Sequence, residues 1–130
     1  MIGFKVTVRD ETQRVQAKAR QASIESLGHA GAAVRLAARR SIRRRKKPSS
    51  PGRPPHTRRG QLRRSIAYAL EKQHQRAVVG PQAALVGTSG KAHEFGGRYR
   101  RERYPRRSFM GPALEAIAPR LPRFWRASVR

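Results

Sequence analysis

The chain has 130 residues, no cysteine, and 31 Lys plus Arg against 7 Asp plus Glu, a net charge of +24. That length suits one domain with a modest core, and the lack of cysteine excludes a disulfide framework and any cysteine-based zinc site. No apolar run approaches the roughly 20 residues of a membrane span, and the start MIGFKVTVRD lacks the cationic-then-apolar order of a signal peptide, so cytoplasmic synthesis is expected.

A chain this basic repels itself when compact and attracts polyanions. Two partner classes fit it: nucleic acid, and the acidic surfaces of neighbouring subunits in an assembly. Arginine dominates lysine, and its planar fork pairs with either carboxylate or phosphate.

In chain order, residues 2 to 8 alternate, with Ile2, Phe4, Val6 and Val8 on one face, and predict a half-buried strand. From Glu11 to Arg45 there is no proline, and Ile24, Leu27, Gly31, Val34, Ala38 and Ile42 recur at helical spacing. One long helix of about 50 Å is expected. Gly28 and Gly31 each cost it roughly 1 kcal/mol relative to alanine, so they mark a bend or the close approach of another backbone. The narrow, alanine-rich apolar face predicts packing against helices as well as a sheet.

Residues 46–60, KKPSSPGRPPHTRRG, hold four prolines and two glycines and predict an extended loop prone to polyproline II. No acid occurs from Ser26 to Leu70, while 13 basic residues do. This is a basic arm, with Arg43, Arg44, Arg45, Lys46, Lys47, Arg53, Arg58 and Arg59 as its partner- or DNA-facing charges. Thr57 is placed to cap a short helical turn that buries Leu62 and Ile66.

Ile66, Tyr68 and Leu70 alternate as one strand, and Arg76 to Gly80 form its return, ended by Gly80-Pro81. Ala84 to Gly87 read as a further short strand. Thr88-Ser89-Gly90 open a short helix holding Ala92, His93 and Phe95. After Pro112, Leu114, Ile117, Leu121, Phe124 and Val129 recur at near-helical spacing. Pro119 and Pro122 interrupt them, which predicts a kink or two short helices. Phe124 and Trp125 are expected to pack on the sheet.

The stretch Lys91 to Ala116, KAHEFGGRYRRERYPRRSFMGPALEA, organises the rest. It begins with a short apolar-acidic turn closed by a glycine pair (Ala92 to Gly97). An arginine- and tyrosine-rich connector follows, and then Phe109 just before a Pro-started helix. Phe95 and Phe109 sit at chain reversals and are expected, with Pro112, to pin two helices to one sheet face. Glu94 is expected to pair with a nearby arginine. The connector residues Arg98, Tyr99, Arg100, Arg101, Arg103, Tyr104, Arg106 and Arg107 are too polar for core and too aromatic for a passive linker. They read as a partner-facing surface.

Catalytic patterns are sparse. The seven acids are scattered, and His29, His56, His74 and His93 lie on different elements without metal-ligand spacing. His93-Glu94 lacks the third orienting group that triad logic requires. No phosphate loop or dinucleotide fingerprint appears. No enzyme activity, metal or cofactor is expected. For nucleic acid, Arg39, Arg40, Arg43 and Arg44 suit phosphates, and Tyr99 and Tyr104 suit base stacking. No zinc-finger, KH or RNP pattern accompanies them, and any DNA contact is expected to be backbone-led and salt-dependent.

The EFG turn (Glu94 to Gly96), followed by Arg107-Ser108-Phe109-Met110-Gly111-Pro112-Ala113-Leu114, resembles the phage neck and tail-completion family, which includes relatives of the lambda minor tail protein Z. There the second block reads "RPFM-PAL", and Ser108 stands where proline is usual. PGRPPHTRRGQLRRSI (residues 51–66) resembles the same family's Pro-Gly-rich loop leading into "G-x-L-x-x-S-I". The resemblance covers roughly residues 48 to 118.

It implies an α+β domain spanning 1–130. A long N-terminal helix and a C-terminal helix would pack on a small antiparallel sheet, with a long basic Pro/Gly-rich loop. It also implies a virion protein without enzyme activity, assembled as a homo-oligomeric ring of six or twelve copies around the DNA channel. Such a ring would meet neighbouring head-closure or adaptor and tail-tube proteins, touch packaged DNA non-specifically, and contact no membrane. Two other readings stand beside it: a tail terminator that stops tube growth, and a free basic nucleic-acid-binding protein.

Overall fold

The computed structural model describes residues 12–126, so the strand expected over residues 2–8, and Val129, lie outside the described residues. The architecture is α+β: a long N-terminal helix, small two-stranded sheets and a C-terminal helix.

Helix α1 runs from Thr12 to Ser41, 30 residues or about 45 Å. It stops four residues short of the expected end. The Ser41 hydroxyl turns back to the Ala38 carbonyl at 2.7 Å, Ile42 is fully buried at the exit, and Arg43–Arg44 leave as strand β1. Its buried row is Ser26, Ala30, Val34 and Ala38, spaced by four, and it continues to Ile42. Ser26 is hydrophilic yet buried because its hydroxyl donates to the Phe124 carbonyl at 2.7 Å.

β1 (Arg43–Arg44) pairs in parallel with β2 (His56–Thr57). One strand of this ladder, β2, thus falls within residues 46–60, expected to be irregular throughout, and Pro55 is fully buried beside it. Thr57 Oγ1 accepts the Gly60 N–H at 3.1 Å, just before α2 (Gln61–Ser65). Leu62 and Ile66 are both buried, as their spacing predicts.

β3 (Ile66–Glu71) and β4 (Arg76–Pro81) form the expected antiparallel hairpin, joined by a 3-10 turn at Lys72–His74. The hairpin lies against α1. Gly31 is the point of closest approach, since a Cβ there would stand 3.0 Å from the Tyr68 ring. Neither expectation for the glycines holds as stated: the helix runs on through Gly31, and what approaches it is the Tyr68 ring and the Ala77 Cβ rather than another backbone.

The expected strand at Ala84–Gly87 is instead one helical turn, α3 (Ala83–Val86). Pro81 ends β4, the alanines favour helix, and Gly87 closes the turn at φ 58°. α4 (Ser89–Phe95) follows as expected. The connector then folds into its own hairpin, β5 (Gly97–Tyr99) with β6 (Glu102–Tyr104).

α5 (Met110–Ile117) continues into a 3-10 segment, Ala118–Phe124, that carries Pro119 and Pro122. Prolines lacking N–H donors account for the change of helix type. This segment packs on α1, where the Phe124 and His29 rings stack at 6.4 Å and Trp125 Nε1 lies 3.5 Å from Ser23 Oγ.

The core joins the elements into one body. Ala38 and Ile42 of α1 and its exit meet Leu62, Ile66, Phe109 and Ala113, with Val79, Val86 and Met110 packed around them. Ile42, Ile66 and Phe109 are fully buried, each worth about 1.5–3 kcal/mol of transfer free energy.

Candidate functional site: a basic cleft

Two substructures position the charged side chains. The first ties α4 to α5. Glu94 Oε2 accepts the Phe109 and Met110 N–H groups at 2.8 and 2.9 Å, and Oε1 accepts the Gly111 N–H at 3.0 Å. The next residue, Pro112, has no N–H, and the Ala113 N–H returns to the Phe109 carbonyl at 3.3 Å. Every donor at the start of α5 is thus accounted for. Glu94 pairs with these amides rather than with an arginine, which corrects the sequence expectation. The Ser108 hydroxyl donates to the Glu94 carbonyl at 2.8 Å and accepts from Arg106 Nε at 3.0 Å.

Phe109 is fully buried and pins α5 into the core with Ala38, Ile42, Leu62 and Ile66, rather than to one sheet face. Phe95 does not, since it is 69% exposed. Glu94 already makes the tie between the helices, and Gly96, at φ 75°, turns the chain away directly after Phe95.

The second substructure folds the arm onto itself. Arg45 N–H donates to the Thr57 carbonyl at 3.1 Å. Arg44 Nε donates to the Arg58 carbonyl at 3.0 Å and Arg58 Nε to the Lys46 carbonyl at 3.3 Å. His56 Nδ1 lies 2.9 Å from the Lys47 carbonyl. Two further bonds bring the connector to the arm. Arg107 Nε donates to the Ser49 carbonyl at 2.9 Å, and the Gly52 N–H donates to the Arg106 carbonyl at 2.9 Å.

Between arm and connector lies a cleft of about 590 Å³. Arg45, Lys46, Lys47 and Arg58 line it from the arm, and Arg103, Tyr104 and Arg107 from the connector. Glu102 is the one carboxylate on its wall. Two lining side chains carry buried polar atoms with no hydrogen-bond partner among the described residues: Ser49 Oγ and His93 Nδ1. The His93 ring packs on Tyr104 at 4.9 Å. Burial first, and the Arg107 charge second, hold the His93 imidazole below its ordinary proton affinity. Burial, with the Glu102 charge behind it, pushes the Tyr104 phenol upward.

The other expected site residues lie elsewhere. Arg43 and Arg53 line a second cleft with Arg40, which shares Pro48, Ser49 and His56 as walls. Arg44 and Arg59 are exposed and line neither cleft. Arg98, Arg100 and Arg101 stand exposed on the β5–β6 hairpin, with Arg100 over the Tyr99 ring at 5.3 Å. Arg39 is in structural use, as its Nη2 donates to the Arg64 carbonyl at 3.0 Å.

Ser49 and Glu102 escaped the sequence reading. Neither carries a periodic or motif signal, and it is the bonds from Arg107 to Ser49 and from Gly52 to Arg106 that bring their segments together. Among the described residues no group of three or more His, Asp or Glu side chains is placed to hold a metal ion, and no helix is long and apolar enough to cross a membrane. The chemistry on offer is the binding of anionic groups by clustered, partly anchored cations. Comparison with family models, curated proteins and solved structures finds no match for the chain.

Proposed function

We propose that this chain is a non-enzymatic structural subunit of a tailed-phage head–tail junction. It assembles as a homo-oligomeric ring that completes or caps the tail and joins it to the head around the DNA channel. The observation that carries the reading is the meeting of the blocks on which the family resemblance rests. Leu62 and Ile66 from one block pack in the same core as Phe109 and Ala113 from the other. Glu94 of the EFG turn holds the amides that open the last helix. The blocks thus serve one scaffold, as a shared fold requires.

The charge supports an assembly with acidic surroundings. Six copies at +24 each carry on the order of +140, which needs acidic neighbours or DNA to offset it. The basic arm is the surface that meets them. Replacing Arg43, Arg44, Arg45, Lys46 and Lys47 with serine is expected to block head–tail joining, scored as free heads and tails. Normal yields of infectious particles from that variant overturn the reading. Tails of excessive length in a null mutant would assign the terminator role within the same class. A soluble monomer that binds duplex DNA with a steep salt slope would instead favour a free nucleic-acid binder.

A further inference from the structure

We propose that the cleft between arm and connector seats an extended, carboxylate-rich segment of a partner protein. The inference deepens the junction reading, on which it rests only for the partner's identity.

Two observations carry this: the first favours a peptide over duplex DNA, and the second shows that the cleft is prepared for carboxylates. The first is the cleft's mixed wall. Arg45, Lys46, Lys47, Arg58, Arg103 and Arg107 surround a single acid, Glu102, for which no ion pair is found among the described residues. A duplex presents closely spaced phosphates whose oxygens only accept, and Glu102 repels them. A peptide brings acidic side chains together with backbone N–H donors, so it can satisfy the cations and Glu102 at once.

The second is preorganisation. Arg107 and Arg58 are each fixed through Nε to a backbone carbonyl. Guanidinium carries five donors, so each keeps its terminal N–H groups for a bidentate carboxylate while its stem is already ordered. Anchoring lowers the ordering cost of binding.

The test is fluorescence anisotropy at near-physiological salt with the full chain. The two probes are a labelled peptide of alternating Glu and Gly and a short labelled DNA duplex. The triple variant Lys46→Gln/Lys47→Gln/Arg103→Gln removes three exposed cations from the cleft. It is expected to weaken peptide binding about tenfold. Arg98→Gln/Arg100→Gln/Arg101→Gln removes the same charge from the hairpin outside the cleft and is expected to change it less than about twofold.

Equal losses from the two triple variants overturn the proposal, because they mean a diffuse polyanion surface. So does tighter binding to the duplex, and so does an absence of saturable peptide binding. Each of these outcomes leaves the junction reading to be decided by head–tail joining in the phage, so the two failures are distinguishable.

Discussion

The Glu94 carboxylate and the Gly111 amide lie 3.0 Å apart, and that contact closes a cap in which one side chain serves three consecutive N–H groups. A helix start normally draws on its own N-cap side chain. Phe109 occupies that position here and makes no side-chain cap bond. The cap arrives from α4 instead, so helix initiation and tertiary docking are one interaction.

Glu94→Ala should therefore destabilise the protein by about 2–3 kcal/mol, since hydrogen bonds to a charged acceptor are lost and donors are stranded. Glu94→Gln keeps one acceptor and should cost about 1 kcal/mol. Urea denaturation measures both. The loss should persist at high salt, because an exposed ion pair is screened and a short contact to partly buried amides is far less so. A loss that vanishes in salt would restore the arginine pairing expected from sequence.

Gly28 and Gly31 separate two opposing effects of alanine. Helix propensity alone favours Gly→Ala by about 1 kcal/mol at either position. At Gly28 a new Cβ meets the Leu70 Cδ1 at 3.7 Å, an ordinary contact, so Gly28→Ala should stabilise by up to about that amount. At Gly31 it meets Tyr68 Cδ2 at 3.0 Å and Cγ at 3.3 Å. Cγ is the root of the ring, so clearing it takes a change of χ1 or a shift of β3 rather than a swing of the ring's far end. Gly31→Ala should destabilise by about 1–3 kcal/mol, the usual range for overpacking. Thermal melts of the two single variants test the opposite signs.

These residues also show where sequence reasoning reached and where it stopped. Periodicity located α1, β3, α5 and the pair Leu62 and Ile66, because each buries a face whose repeat is written in the chain. Turn residues placed β4 and α4, and a position at a chain reversal marked Phe109. Such signals failed at Phe95, because an isolated aromatic carries no sign of whether its helix turns it inward. They failed at Ala84–Gly87, because four residues fit a strand or one helical turn equally well until the neighbours are known. The cap by Glu94 was illegible for a different reason: its partners are main-chain amides, which have no sequence signature. The cleft was half legible. Both basic segments were marked, but their convergence depends on bonds from Arg107 and Gly52 to backbone atoms far along the chain.

The tip of the connector hairpin stores a testable conflict. Arg100 and Arg101 both have positive φ, 48° and 67°, between the paired residues Tyr99 and Glu102. A two-residue hairpin turn of this kind is normally built by Asn-Gly. Side chains other than Gly and Asn resist that conformation by about 1–2 kcal/mol per residue. Replacing Arg100-Arg101 with Asn-Gly should therefore raise stability by about 1 kcal/mol, after allowance for the lost Arg100–Tyr99 stacking. Chemical denaturation checks it, and an unchanged midpoint would mean that the arginines hold the turn without strain.

His93 should make the fold sensitive to mild acid. Its proton affinity lies below the ordinary value of 6.5, chiefly through burial and secondarily through Arg107. With the folded value depressed, the unfolded chain binds the proton first as pH falls. Stability is therefore unaffected well above 6.5 and declines as pH drops from there toward the lowered folded value. His93→Gln should flatten the slope in that window while leaving stability at neutral pH within about 1 kcal/mol. A carboxylate seated in the cleft would favour the protonated ring, so the acid-side decline should shrink when the Glu-Gly peptide is present. Melting temperature as a function of pH, with and without peptide, reads both effects, and a slope that persists in His93→Gln would assign it to another group.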